Sequence, residues 1–162
     1  MAIQRSTPAA ITLSTALNSL GSSATAAAQS SGVTSSSTDN ITDIVANWTL
    51  VIGSITASSS TRVDVYVWGT NDDSGYPGAT ATAEVITGTA GSITLSANGN
   101  AALRFLRSTL AHTTGLTIKN EASIVNALGF VPRRWGLVFV NQTGAALASS
   151  GHSAEYVETY YT

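Results

Sequence analysis

Arg62-Val63-Asp64-Val65-Tyr66-Val67-Trp68 alternates without a break: Val63, Val65 and Val67 fall on one face, and Arg62, Asp64, Tyr66 and Trp68 on the other. Successive side chains of an extended strand point to opposite faces, so this is the pattern of a strand with one face against a core. Its β-branched and aromatic content agrees. Upstream, Trp48, Leu50 and Ile52 alternate with Thr49, Val51 and Gly53, and Ile55 breaks the repeat. That predicts a second strand with an irregularity at Gly53. The polar stretch from Ser58 to Thr61 reads as a turn, and the two segments are expected to form an antiparallel hairpin.

Downstream, Thr70-Asn71-Asp72-Asp73-Ser74-Gly75-Tyr76-Pro77 collects turn-forming residues and predicts a loop over 69–78. Short strands are expected at Thr82 to Thr87, Ser92 to Ala97 and Ala102 to Leu110, with a turn at Asn98-Gly99-Asn100. The stretch from Asn120 to Gly129 reads equally as a capped helix, with Ile124, Val125 and Leu128 on one face, and as a strand. Pro132 opens a strand through Trp135-Gly136-Leu137-Val138-Phe139-Val140, Asn141-Gln142-Thr143-Gly144 turns the chain, and Ser153 to Tyr161 alternates again. About eight short strands with frequent turn signals and no helical repeat predict an all-β, antiparallel fold of two sheets, a sandwich or a barrel.

Ile11, Leu13, Leu17 and Leu20 follow neither period, and residues 21–38 are almost entirely small and hydroxylated. The latter read either as a flexible linker or as an extended arm with a first strand. Residues 1–22 are therefore expected to be an N-terminal arm and 23–162 the sandwich domain. On this reading, deletion of the arm leaves a folded domain with weakened attachment to its neighbours.

Hydrophobic residues make up 43% of the chain, enough for a core without disulfides or metal, and cysteine is absent. Charged residues are only 10%, and Ser and Thr fill more than a quarter of the positions. Such a surface suits packing into an assembly, where each buried ion carries a desolvation cost. The net charge of −2 and the lack of any basic cluster beyond Arg133-Arg134 argue against nucleic acid. No apolar run of signal-peptide or membrane-span length follows Met1, so the chain is expected in a cytoplasm, away from membranes. The Asn-X-Thr triplets at Asn40, Asn47 and Asn141 are expected by chance in a chain this rich in Thr.

Two segments carry more than a generic pattern: Val63 to Trp68 leading into Asn71 to Pro77, and Pro132 through Tyr156 with Asn141-Gln142-Thr143-Gly144-Ala145-Ala146-Leu147-Ala148-Ser149-Ser150-Gly151 at its centre. Together they resemble the small β-sandwich virion proteins of tailed bacteriophages, in which a V-x-V-Y strand precedes a turn loop and a late N-Q-T-G hairpin precedes a final aromatic strand. The resemblance covers a quarter of the chain. It implies a jelly-roll-like sandwich on the virion surface, a cement or decoration role on the head shell, the major capsid protein as partner, and self-association, with a homotrimer favoured. A receptor- or carbohydrate-binding module of a tail tip or fibre is the alternative.

No constellation of residues demands chemistry. His152 lies near Ser150, Ser153 and Glu155, but no nucleophile elbow occurs, and in so serine-rich a chain the proximity is uninformative. Asp72-Asp73 are adjacent turn residues, and the Asn71 to Ser74 oxygens lack the spacing of a calcium loop. The chain is expected to be no enzyme, with no catalytic, cofactor or metal residues. Interface candidates are Arg5, Ile11 and Leu13 on the arm, and Arg133, Arg134 and Trp135, because Arg and Trp concentrate at interface hot spots. Asp72, Asp73 and Tyr76 are the candidate recognition loop, with Trp68, Trp135, Tyr156, Tyr160 and Tyr161 as further aromatics for stacking or core packing.

Overall fold

The computed structural model describes residues 2–13, 15–22, 26–36, 40–56, 58, 60–72, 86–95 and 102–162. They form eleven strands: β1 (Ile3–Arg5), β2 (Ala9–Ala10), β3 (Ala26–Gln29), β4 (Val33–Thr34), β5 (Asn40–Val51), β6 (Arg62–Thr70), β7 (Gly91–Thr94), β8 (Arg104–Leu110), β9 (Thr117–Ser123), β10 (Arg134–Gln142) and β11 (Ser153–Tyr161). One helix among the described residues, α1 (Ile124–Leu128), follows β9.

The strands divide into two antiparallel sheets. Sheet A runs β1-β11-β5-β9, with β2 also on β11; sheet B runs β7-β3-β10-β6-β8, with β4 also on β10. Counting β1 with β2 and β3 with β4 as interrupted strands leaves eight principal strands and β7 as an added edge. In chain order their neighbours are then 1-8-3-6 in one sheet and 2-7-4-5 in the other. That connectivity is a jelly roll, the double-sheet solution in which successive strands repeatedly cross between the layers.

The crossing explains one departure from the sequence reading. The segments around Trp48 and Val65 do not pair as a hairpin: β5 lies in sheet A between β11 and β9, and β6 lies in sheet B between β10 and β8. Their apolar faces meet across the sandwich instead. Ile44, Ala46, Trp48 and Leu50 from β5 pack with Val63, Val65 and Val67 from β6 and with Trp135, Leu137 and Phe139 from β10. Each fully buried aliphatic side chain contributes about 1.5–3 kcal/mol, so facing sheets gain more from this layer than a two-stranded ribbon could.

Sheet B is covered on its other side too. Trp68, Val138, Val140, Ala27, Ile86 and Leu103 form a second buried cluster. The face of β6 that alternation assigned to Arg62, Asp64, Tyr66 and Trp68 is therefore partly interior, and Asp64 is buried with Arg62 Nε at 3.0 Å. Gly136 makes this layer possible, because a Cβ there would stand 2.6 Å from Trp68 Nε1.

The N-terminal segment is integral to the sandwich. β1 and β2 extend sheet A along β11, and Ser6 N and Ile11 N donate to the carbonyls of Glu158 and Ala154 at 2.9 Å each. Ile11, Leu13, Leu17 and Leu20 are all buried in the main core. Their irregular spacing reflects a chain that closes the end of the sandwich without adopting a regular period. The expected separation into an arm of 1–22 and a domain of 23–162 does not describe this arrangement. The ambiguous 120–129 stretch contains both readings: β9 ends at Ser123, whose hydroxyl caps α1 by accepting from Asn126 N at 3.0 Å.

Candidate functional site

The structure disperses the residues singled out from sequence. Ile11 and Leu13, expected at an interface, are in the chain's own core, and so is Trp135, which is fully buried and stacks edge-on against Tyr156 at 5.4 Å. A single-residue alternation cannot tell a core Trp from an interface Trp, because both need an apolar surround. Arg5 is exposed in sheet A, opposite Thr159. Arg133 is exposed at the entrance to β10, where its N–H donates to Thr70 O (3.0 Å) and Asn71 Oδ1 (3.3 Å), and Arg134 is half-buried at the start of that strand. Asp72 is exposed in an ST-turn, its N–H on Thr70 Oγ1 at 3.0 Å. Asp73 and Tyr76 lie outside the described residues, as do most of 82–87 and the Asn98-Gly99-Asn100 turn.

The late Asn141–Gly151 motif, expected as a hairpin, instead crosses from β10 in sheet B to β11 in sheet A. Asn141 is fully buried; its Nδ2 donates to Leu20 O and Ala145 O (2.8 Å each) and Gly21 O (3.2 Å), and its Oδ1 accepts from Thr143 N (3.0 Å) and Thr143 Oγ1 (2.7 Å). Gly144 follows in the left-handed region at φ 80. One side chain thus ties the β10–β11 turn to the N-terminal segment. His152 is similarly occupied: Val51 N–H donates to Nδ1 at 3.3 Å, and Nε2 donates to Ala148 O at 3.0 Å. A carbonyl can only accept and an amide N–H only donate, so this pairing fixes the neutral Nε2–H tautomer and leaves no lone pair for a serine.

Two surfaces remain. The first is β8, whose seven residues include none that is buried. Phe105 and Leu110 are 55% and 59% exposed, with Arg104 and Arg107 also exposed. Phe105 meets Tyr66 edge-on at 5.6 Å, and the ladder to β6 slips at Leu106, since Val65 faces Arg107 and Tyr66 faces Phe105. Burial raises the Tyr66 hydroxyl above its ordinary pKa, Asp64 adds to that and Arg62 opposes it. Among the described residues β8 pairs only with β6; towards β9 it is met by two side-chain bridges, Asn120 Nδ2 to Thr109 Oγ1 (2.8 Å) and Arg107 Nη1 to Glu121 O (3.4 Å).

The second is the outer face of sheet A. Register places Ser153, Thr49 and Lys119 in one row across β11, β5 and β9, and Glu155, Asn47 and Glu121 in the next. These six side chains, with Arg107 at the rim, line a trough of about 660 Å³. Nothing in the periodicity marked either surface, because an exposed edge and a solvated face both read as ordinary polar alternation.

No protein-family model matches the chain, and no curated protein matches it. Among solved structures, the VP2 subviral particle of infectious bursal disease virus is 12% identical over 95% of this chain and 41% of that one, with a TM-score of 0.27. T=1 particles of a mutant VP2 of the same virus give 13% identity over 95% and 39%, with a TM-score of 0.26. The chain thus spans about two-fifths of those proteins' length. Scores this low do not establish a shared fold; strand order alone defines this one as a jelly roll.

Proposed function

We propose that this chain is a structural protein of a tailed-phage virion, a cement or decoration subunit that binds the major capsid protein on the head surface, assembles with copies of itself and acts without catalysis. The observation that carries the reading is β8. A strand exposing Phe105, Leu110 and two arginines has the composition of a protein contact, where aromatics and Arg are enriched and acidic residues depleted. An edge strand also offers main-chain groups to a neighbour with little demand on sequence. The two segments that resemble phage virion proteins support it further: distant in sequence, they fold as the adjacent strands β6 and β10. Low charge and a hydroxyl-rich surface fit a subunit destined for packing.

The test is attachment of purified protein to heads of the parent phage lacking it, followed by co-sedimentation. Phe105→Ser with Leu110→Ser is expected to weaken attachment about tenfold or more while leaving thermal unfolding unchanged. Absence of the protein from purified virions would refute the role; attachment indifferent to the double substitution would move the contact off β8. The tail-tip module, in the form that needs exposed aromatics at one end, is the weaker reading, since Trp68 and Trp135 are both interior.

A further inference from the structure

We infer that the outer face of sheet A is a binding site for a neutral oligosaccharide, centred on Asn47. Unused hydrogen-bonding capacity sets this face apart. Asn141, Thr143, Asp43, Asn120, Ser123 and His152 all use their side chains within the molecule. The side chains of Asn47, Thr49, Lys119, Glu121, Ser153 and Glu155 do not: none makes a hydrogen bond or ion pair to another described residue, although they are neighbours on three adjacent strands. Strand spacing and the two-residue repeat spread them over about 10 Å by 7 Å, roughly the footprint of two sugar rings. Their rigidity comes from the ladder beneath, since β5 is bonded on both sides.

Charge selects the class of ligand. Lys119 and Arg107 are balanced by Glu121 and Glu155, all within one trough. A nucleic acid or sulfated polymer needs an excess of cations, and a basic peptide needs an excess of carboxylates; neither is present. The two carboxylates stand two strands apart across Asn47, about 10 Å, too far to share a metal ion. A protein partner fits poorly, because interface centres are depleted of Lys, Glu and Ser, the residues that dominate here. A saccharide hydroxyl both donates and accepts, and the trough supplies acceptors at Glu121 and Glu155, donors at Lys119 and Arg107, and both at Asn47, Thr49 and Ser153. No exposed aromatic ring lines it, so binding is of millimolar strength.

The experiment is titration of the ¹⁵N-labelled full chain with maltohexaose, with an N-acetylglucosamine hexamer, and with a heparin hexasaccharide as the polyanionic control. At least one neutral probe is expected to shift the amides of Asn47, Lys119 and Glu155 saturably, and heparin is not. Asn47→Ala and Glu121→Gln should each weaken that binding about tenfold without altering the melting midpoint. Acylation of Lys119, the only lysine in the chain, should slow in the presence of the same probe. No saturable shift from either neutral probe at about 10 mM, an equal response to heparin, or shifts produced by protein concentration alone would each overturn the site. The titration needs no virion, so its failure is separable from failure of the cement reading.

Discussion

Asn47-Trp48-Thr49 and Asn141-Gln142-Thr143 are the same triplet pattern in two regions, with opposite fates. In the second, Asn141 is fully buried and its side chain makes five hydrogen bonds, two of them to Thr143 and three to the carbonyls of Leu20, Gly21 and Ala145. In the first, the same two side chains stand half-buried on the outer face of β5 and bond to nothing described. The difference is one of backbone: Asn141 lies one residue before the end of β10, at a turn that must satisfy carbonyls arriving from the N-terminal segment, whereas the ladder around Asn47 is already complete. A polar residue becomes structural when a fold delivers unpaired main-chain groups to it, and remains available for ligands when it does not.

The most severe test of this contrast removes what Asn141 holds. Deleting residues 1–22 takes Ile11, Leu13, Leu17 and Leu20 out of the core. At about 1.5–3 kcal/mol each their loss approaches the whole 5–15 kcal/mol that stabilises a typical domain. Calorimetry is expected to show no cooperative transition; a truncated chain with a native-like melt would restore the idea of a detachable arm. Next, Asn141→Ala should lower unfolding free energy by about 2–4 kcal/mol, because buried carbonyls lose their donors. Asn47→Ala should stay within about 0.5 kcal/mol in the same urea titration. Equal effects at the two positions would erase the distinction between the regions.

A smaller effect is expected at the outer layer of sheet B. Gly136→Ala drives a methyl against the Trp68 indole, within 2.6–2.9 Å of three of its atoms. Overpacking of this kind costs about 1–3 kcal/mol, and near-ultraviolet circular dichroism should report displacement of the indole. The smallest effect concerns pH. Tyr66 and Tyr156 both titrate above the ordinary 10.0, chiefly through burial and secondarily through Asp64 and Glu158 respectively. The folded state therefore keeps these protons longer than the unfolded chain does. Their contribution is complete below pH 10.0 and declines as pH rises above it. Urea midpoints at about pH 9 and about pH 11 should differ less in Tyr66→Phe than in the parent.

Alternation made most strands legible. Val63 to Trp68 and Trp135 to Val140 lie where the pattern put them, and Ser153 to Tyr161 is β11 residue for residue. Which strands pair was not legible, since register and sheet membership depend on partners far away in the chain. The hairpin expected between β5 and β6 is a crossing between layers for that reason. The candidate surfaces were less legible still. Arg133 and Trp135 stand out by residue type, yet Trp135 is core, while Phe105 and Glu121 carry no local signal.

By itself, the sequence determined that the chain would be nearly all β, with a core formed mainly by leucine, isoleucine and valine and with few charges to bury, because period and composition act locally. Only the tertiary structure decided that Ile11 to Leu20 close the core, that Asn141 is a hub and Asn47 is not, and that β8 is an edge among the described strands. Each of those depends on which distant backbone arrives alongside, and no local pattern encodes an arrival.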